Sequence, residues 1–248
     1  LSSIEEFDIS CHEKAENKYR GVCIEGADCP ENIFEFIDWL PKLGFNTFFL
    51  QFELPFAFLN LWYSHKNNPF LPAEDFSLEK AAEISLLIDK ELQKRSLKHH
   101  RVGHGWTCSV LNQNTLGWVV TDNTLDKSQL PLTALVDGKR GFFGGIPINT
   151  NLCYSNPDVV ENFAQKVAAY AEQHLEVDYL HVWLADASNN HCECENCQKA
   201  IPTDLYVRIL NKIDALLTEK GLKTKIVFLI YEELLWAPQT ERLANPDR

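Results

Sequence analysis

The stretch 181–197 reads "HVWLADASNNHCECENC". A β-branched and aromatic run ends on an acid, Asp186, and five residues later a histidine opens a knot of three cysteines. In a parallel α/β fold, ligands gather at the carboxyl ends of the strands, so the informative residues are those where each apolar run stops. Here they are Glu25, then Gln51 and Glu53, then His104 and Trp106, then Asp186, and finally Tyr231, Glu232 and Glu233. Each has an ordinary alternative as a solvated strand end or as an acid capping the following helix. Counting back by twos from Asp186 gives Leu184, Val182 and Leu180, and from Glu232 it gives Ile230 and Phe228. That alternation predicts two carboxylates on one inward face of neighbouring strands.

Two carboxyl groups near one another suit glycosidic cleavage, which needs one kept protonated to supply the leaving oxygen and one ionised as nucleophile or base. Close approach and burial push their pKa values apart, so both states can exist at one pH. Asp186 is therefore the expected catalytic carboxylate, with Glu232 as its partner and Glu233 as the substitute. Glu25, Gln51, Glu53, His104, Trp106, Tyr231 and Trp236 are expected to bind substrate, and Arg140 to meet an acidic substituent such as a uronate. Trp62, Tyr63 and Trp118 are further aromatics for sugar stacking, although ordinary packing explains any one of them taken alone.

Cys192, Cys194 and Cys197 follow a Cys-x-Cys-x2-Cys spacing, and tetrahedral zinc would need one more donor. Cys153 and Cys108 compete for that place, and His191 is adjacent but close to Cys192. The alternative is reduced cysteines packed as small apolar groups. A closed set of thiolates leaves no open position, so the expected metal is structural and catalysis needs no cofactor. A zinc deaminase is disfavoured because His-x-Glu with a paired Cys-x2-Cys is absent.

Short apolar runs alternate with segments of helical period, the pattern of βα units on a parallel sheet. Strands are expected at 19–25, 45–53, 99–104, 178–186 and 223–233, and helices at 29–44, 77–95, 156–175 and 202–221. Ser77 and Asn156 precede their helices as caps, and Pro30 and Pro157 suit first turns. Residues 105–156 break the pattern and read as a long insertion on the active face. The expected fold is a (β/α)8 barrel as one domain over 1–248, with about five βα units in this chain and the rest beyond Arg248. An open doubly wound sheet is the alternative.

The net charge of −12 and sequence pI near 5.1 argue against nucleic acid, which requires clustered cations. No run approaches the apolar length of a membrane span, and the opening "LSSIEEFDIS" has no signal-peptide pattern, so a cytoplasmic chain is expected.

Taken together, "YRGVCIEG", "FIDWLPKLGFNTFFLQFE", "GHGW", "ALVDGKR", "LCYSNPDVV" and Asp186 followed by "CECENC" resemble a bacterial family of unknown function placed among the TIM-barrel glycoside hydrolases. Its relatives look like α-glucuronidases and β-N-acetylhexosaminidases. The resemblance spans about 19 to 238, and its most specific part is Cys153-Tyr154-Ser155-Asn156-Pro157 with Asp186, Cys192, Cys194 and Cys197. It implies a barrel acting on a carbohydrate, uronic-acid or N-acetylhexosamine glycans included, with His104, Trp106, Asp186 and the cysteine loop on the active face. Hexosaminidase-like barrels carry an Asp-Glu pair after the fourth strand, where this chain has Asp186-Ala187, so its proton donor must come from elsewhere. A carbohydrate-binding protein on a degenerate barrel would use the same residues without cleavage.

Overall fold

The computed structural model describes residue 10 and residues 12–248. Five parallel strands form the main sheet: β1 (Gly21–Ile24), β2 (Thr47–Gln51), β3 (Lys98–Gly103), β6 (Tyr179–Val182) and β7 (Lys225–Val227), in that spatial order. Two short strands, β4 (Leu135–Val136) and β5 (Lys139–Arg140), make a separate antiparallel hairpin. Neighbours in space are thus neighbours in sequence, apart from the hairpin, and nothing reverses the order as it does at the switch point of a doubly wound sheet. Among the described residues no pairing joins β1 to β7, so the sheet stays open.

The crossovers are α1 (Pro30–Lys42), α3 (Leu78–Lys94), α5 (Pro157–Gln173) and α6 (Pro202–Glu219). Ser77 Oγ accepts the Lys80 N–H at the start of α3, and Asn156 Oδ1 accepts the Asp158 N–H at the start of α5. Each cap satisfies a backbone donor that the first helical turn leaves free. Apolar stripes on these helices seal one face of the sheet: Ile33, Ile37, Ile84 and Ile88 pack with Phe48 and Leu50, and Val159, Phe163, Val167, Ile209 and Ile213 with Leu180 and Val182. The buried Arg101 guanidinium on β3 pairs with Asp89 of α3.

The opposite face carries aromatic and imidazole rings. Phe49 stacks on His181 at 3.9 Å, His100 stacks on Tyr179 at 4.4 Å, and Trp183 meets Phe49 edge-on. Gly103, at φ +87°, lies where a Cβ would come within 3.0 to 3.2 Å of Trp183, Gln51 and Phe49. A side chain there would be strained by its backbone and would push the rings apart.

This corrects the alternation expected for the fourth strand. Leu180 and Val182 belong to the helix-side core, whereas Tyr179, His181 and Trp183 occupy the other face. Both faces are buried, so period two could not say which was inward. Pairing also ends earlier than expected, at Val182 and Val227, and Asp186 and Glu232 are held by irregular segments beyond the ladders. The segment 105–156 is built from a short helix α4 (Trp106–Val110), the hairpin and three 3-10 turns. One further helix, α2 (Phe56–Tyr63), stands where only a loop was expected.

Candidate active site and cysteine cluster

Asp186 is half-buried and lies just past the carboxyl end of β6. Its own N–H donates to Ile148 O at 3.1 Å, and its carbonyl accepts from the Asn190 side-chain amide at 2.5 Å. Asn190 also donates to Asn149 O and accepts from Asn151, whose Oδ1 receives the Ala185 N–H. This buried amide network fixes the turn after Asp186 from both sides and connects it to the long insertion. Ala187, at φ 72°, completes the turn.

The carboxylate itself is bonded from one side and faced from another. The Trp118 indole N–H donates to Oδ2 at 2.6 Å, and His104 Nε2 lies 3.9 Å from Oδ1. His104 is buried, and its Nδ1 lies 2.8 Å from Leu184 O. A carbonyl can only accept, so Nδ1 carries the proton and Nε2 presents a lone pair towards Asp186. Burial holds the His104 pKa below its usual value, against opposing contributions from the Leu184 bond and from the Asp186 and Glu25 charges. The histidine is therefore neutral at neutral pH.

Tyr231 lies near both Asp186 and the second acid. Burial, followed by the Asp186 and Glu232 carboxylates, raises its hydroxyl pKa. Glu232 opens a 3-10 turn, Glu232–Leu235, at φ 48° and is exposed. Glu233 points to the cysteine loop instead: Oε1 accepts the Asn189 N–H at 2.6 Å, and Oε2 lies 3.9 Å from His191 Nε2. Glu25 is exposed beyond β1, and Gln51 is buried beside Gly103.

Four other expected site residues lie elsewhere. Trp106 is wholly buried, and its indole N–H donates to His181 O, so it packs the core and is not at the rim. Gly105, at φ 118°, turns the chain into α4 and directs that ring inwards. Glu53 accepts from Ser109 of α4 and faces Lys166 of α5 and His174 just beyond that helix. Trp236, 75% exposed, borders an apolar groove of 490 Å³ shared with Tyr206, Leu210 and Phe228. Arg140 donates to Thr133 O and Pro131 O, and its guanidinium also lies against Cys153. Sequence reasoning offers Trp118 only as a further sugar-stacking aromatic and does not connect it to Asp186. It sits in an aperiodic loop 68 positions from Asp186, where no spacing signal could connect the two.

Cys153, Cys192, Cys194 and Cys197 bring their sulfurs within 4.8 Å of one another. Cys108 is buried apart from them, with Phe52 and Phe58.

Residues 64–245 match the family described as Domain of unknown function (DUF4838). The chain belongs to this family. No curated protein matches the DUF4838 chain. Among solved structures it is similar to the GH20 β-N-acetylhexosaminidase from Streptomyces coelicolor A3(2), at 11% identity and TM-score 0.40, covering 86% of this chain and 39% of that one. It is similar to Streptomyces plicatus N-acetyl-β-hexosaminidase at 12% identity and TM-score 0.40, over 86% and 39% of the two chains. Isomaltulose synthase from Erwinia rhapontici NX5 gives 14% identity and TM-score 0.40, over 82% and 40%. The DUF4838 chain spans about two fifths of the length of these structures. No helix among the described residues is long and apolar enough to cross a membrane.

Proposed function

We propose that the DUF4838 chain is a glycoside hydrolase built on barrel-type βα units, with Asp186 as one catalytic carboxylate and Glu232 as the other. The observation that carries this reading is the setting of Asp186: a carboxylate past the end of a central parallel strand, bonded by Trp118 and faced by a neutral His104, with Tyr231 near both it and Glu232. A carboxylate in such a place meets the need of glycosidic cleavage for an ionised group beside the sugar carbon. Glu232, exposed and across Tyr231, has the freedom to reach a leaving oxygen. Sequential strand order supports the barrel, because right-handed crossovers between neighbours place every helix on one face and leave the other free to curl inwards.

Glu233 is engaged with Asn189 and His191, which favours Glu232 as the second acid. Arg140 is tied to backbone carbonyls and to the cysteines, which weakens its expected part in binding a uronate. The sugar is left to experiment, with N-acetylated and uronic substrates as the first to try.

The test is hydrolysis of a panel of aryl glycosides by the wild-type chain and by Asp186→Asn. Turnover in the first that falls by about 100-fold or more in the second, with glycan affinity kept, is the expected result. Glycan binding without turnover in either protein would support a carbohydrate-binding protein instead. Equal turnover in both would remove Asp186 from the chemistry.

A further inference from the structure

We propose that Cys153, Cys192, Cys194 and Cys197 form a closed tetrahedral site for one zinc ion, which fastens the loop following Asp186 to the segment that starts α5. The measured separations carry the geometry. Cys153 Sγ lies 3.7 Å from Cys194 Sγ and 3.9 Å from Cys197 Sγ, and all four sulfurs lie within 4.8 Å of one another. A tetrahedron with Zn–S bonds of about 2.3 Å has sulfur–sulfur edges of about 3.8 Å. A disulfide requires about 2.05 Å, far shorter than these contacts. Two cysteines can meet by ordinary packing, but four converging on a common centre from separated segments make a ligand set.

The surroundings suit thiolates. Four thiolates around a dication leave two negative charges in excess, and such a site needs donors directed at its sulfurs. The Leu135 N–H donates to Cys192 Sγ at 3.3 Å, and Ser155 Oγ lies 3.1 Å from Cys197 Sγ and 3.7 Å from both Cys153 and Cys194. The Arg140 guanidinium reaches Cys153 and lies in the field of Cys192 and Cys194. Its other bonds go to the Thr133 and Pro131 carbonyls, which leave its charge available to the sulfurs.

The site would tie three pieces of chain. Cys153 precedes the Asn156 cap of α5, Cys192 receives its bond from the β4 hairpin, and the Glu193 N–H donates to Leu135 O at 2.7 Å. His191 and Asn190, next to Cys192, are the residues that touch Glu233 and the Asp186 carbonyl. With all four positions filled by sulfur, the ion has no place for substrate or water and acts on fold alone. The proposal stands whether or not Asp186 cleaves a sugar.

Metal content of the purified chain by mass spectrometry, with zinc present during expression, is the first measurement. One zinc per chain is expected, together with four thiols that resist alkylation until a strong chelator is added. Cobalt put back into the chelated protein should show the intense absorption of a tetrahedral thiolate site. Cys194→Ser, a substitution at the less buried edge of the cluster, should lose zinc and lower Tm, whereas Cys23→Ser, outside the cluster, should keep one equivalent. If Cys194→Ser does not fold, the wild-type stoichiometry and the cobalt spectrum still decide. Metal-free protein with all four thiols freely alkylated, a mass lower by a disulfide's two hydrogens, or one equivalent of iron in place of zinc would each overturn the assignment.

Discussion

Trp118 offers the sharpest test of a single atom. Its ring packs against Phe52 at 5.7 Å and Phe58 at 6.1 Å, while its N–H donates to Asp186 Oδ2. Trp118→Phe keeps an aromatic ring in that packing and removes the donor together with the second ring of a half-exposed side chain. A hydrogen bond to a charged group contributes roughly 1.5–3 kcal/mol, so turnover should fall by about 10- to 100-fold while Tm moves little. Steady-state kinetics beside a melting curve would check this, and unchanged turnover would mean that Asp186 does not depend on the indole. The same residue shows how much of the site the sequence made readable. Asp186, His104, Tyr231 and Glu232 stand out in the sequence because each is a polar side chain that ends an apolar run, a position that a solvated strand end would also explain. The bond from Trp118 to Asp186 and the amide network of Asn151 and Asn190 do not, because they come from loop geometry with no period. Trp106 was misplaced because the strand-end rule gives position along the chain, and Gly105 decides direction.

Helices were the more readable elements. α1, α3, α5 and α6 all stand within about two residues of their expected bounds, since a 3.6-residue apolar stripe over several turns has no competing explanation. Strands were overextended: "VWLAD" and "FLIYEE" continue as apolar runs after pairing stops, so hydrophobicity marked burial and not ladder bonds. The sequence "FAFLNLWY" of α2 is apolar on nearly every side and has no stripe to reveal a helix. Asp137-Gly138, both at positive φ, form the turn of the β4–β5 hairpin, an Asp-Gly turn signal inside the segment that the sequence shows only as a long insertion. The caps give a prediction at this scale. Asn156→Ala removes the acceptor for the Asp158 N–H and should cost about 1 kcal/mol, read as a lower denaturation midpoint. The Asn156 backbone N–H, which bonds to Cys153 O, is kept, so zinc content should not change. Loss of zinc in this variant would mean that the α5 cap and the cysteine cluster are one cooperative unit.

The whole molecule stores an unusual amount of neutral imidazole. His100 Nδ1 and His181 Nε2 lie 2.8 Å apart on the ring-bearing face of the sheet, and burial lowers their pKa values to about 4 and about 3. Burial also lowers those of His99, His104 and His191. In the unfolded chain each titrates near 6.5, so between that pH and the folded values the unfolded state binds more protons. Stability therefore rises with pH through this window, is complete above about 7, and is lost as pH falls towards 4 and then 3. Each pKa step is about 1.4 kcal/mol, which puts the full loss for His100 and His181 on the order of 8 kcal/mol at most, and only part of it falls above pH 4.5. The aspartate Asp204, lowered by backbone N–H bonds from Thr240 and Glu241 despite the opposing effect of burial, adds a loss only at more acid pH, below the ordinary carboxylate range. Melting curves at pH 7.5, 6, 5 and 4.5 should thus show a decline that begins above the ordinary carboxylate range. His181→Gln, which can still hydrogen-bond to His100 but cannot take a proton, should flatten part of that decline. A Tm that stays level from pH 7.5 to 4.5 would mean that the histidines are protonated without cost, and that the ring-bearing face is open to water in solution.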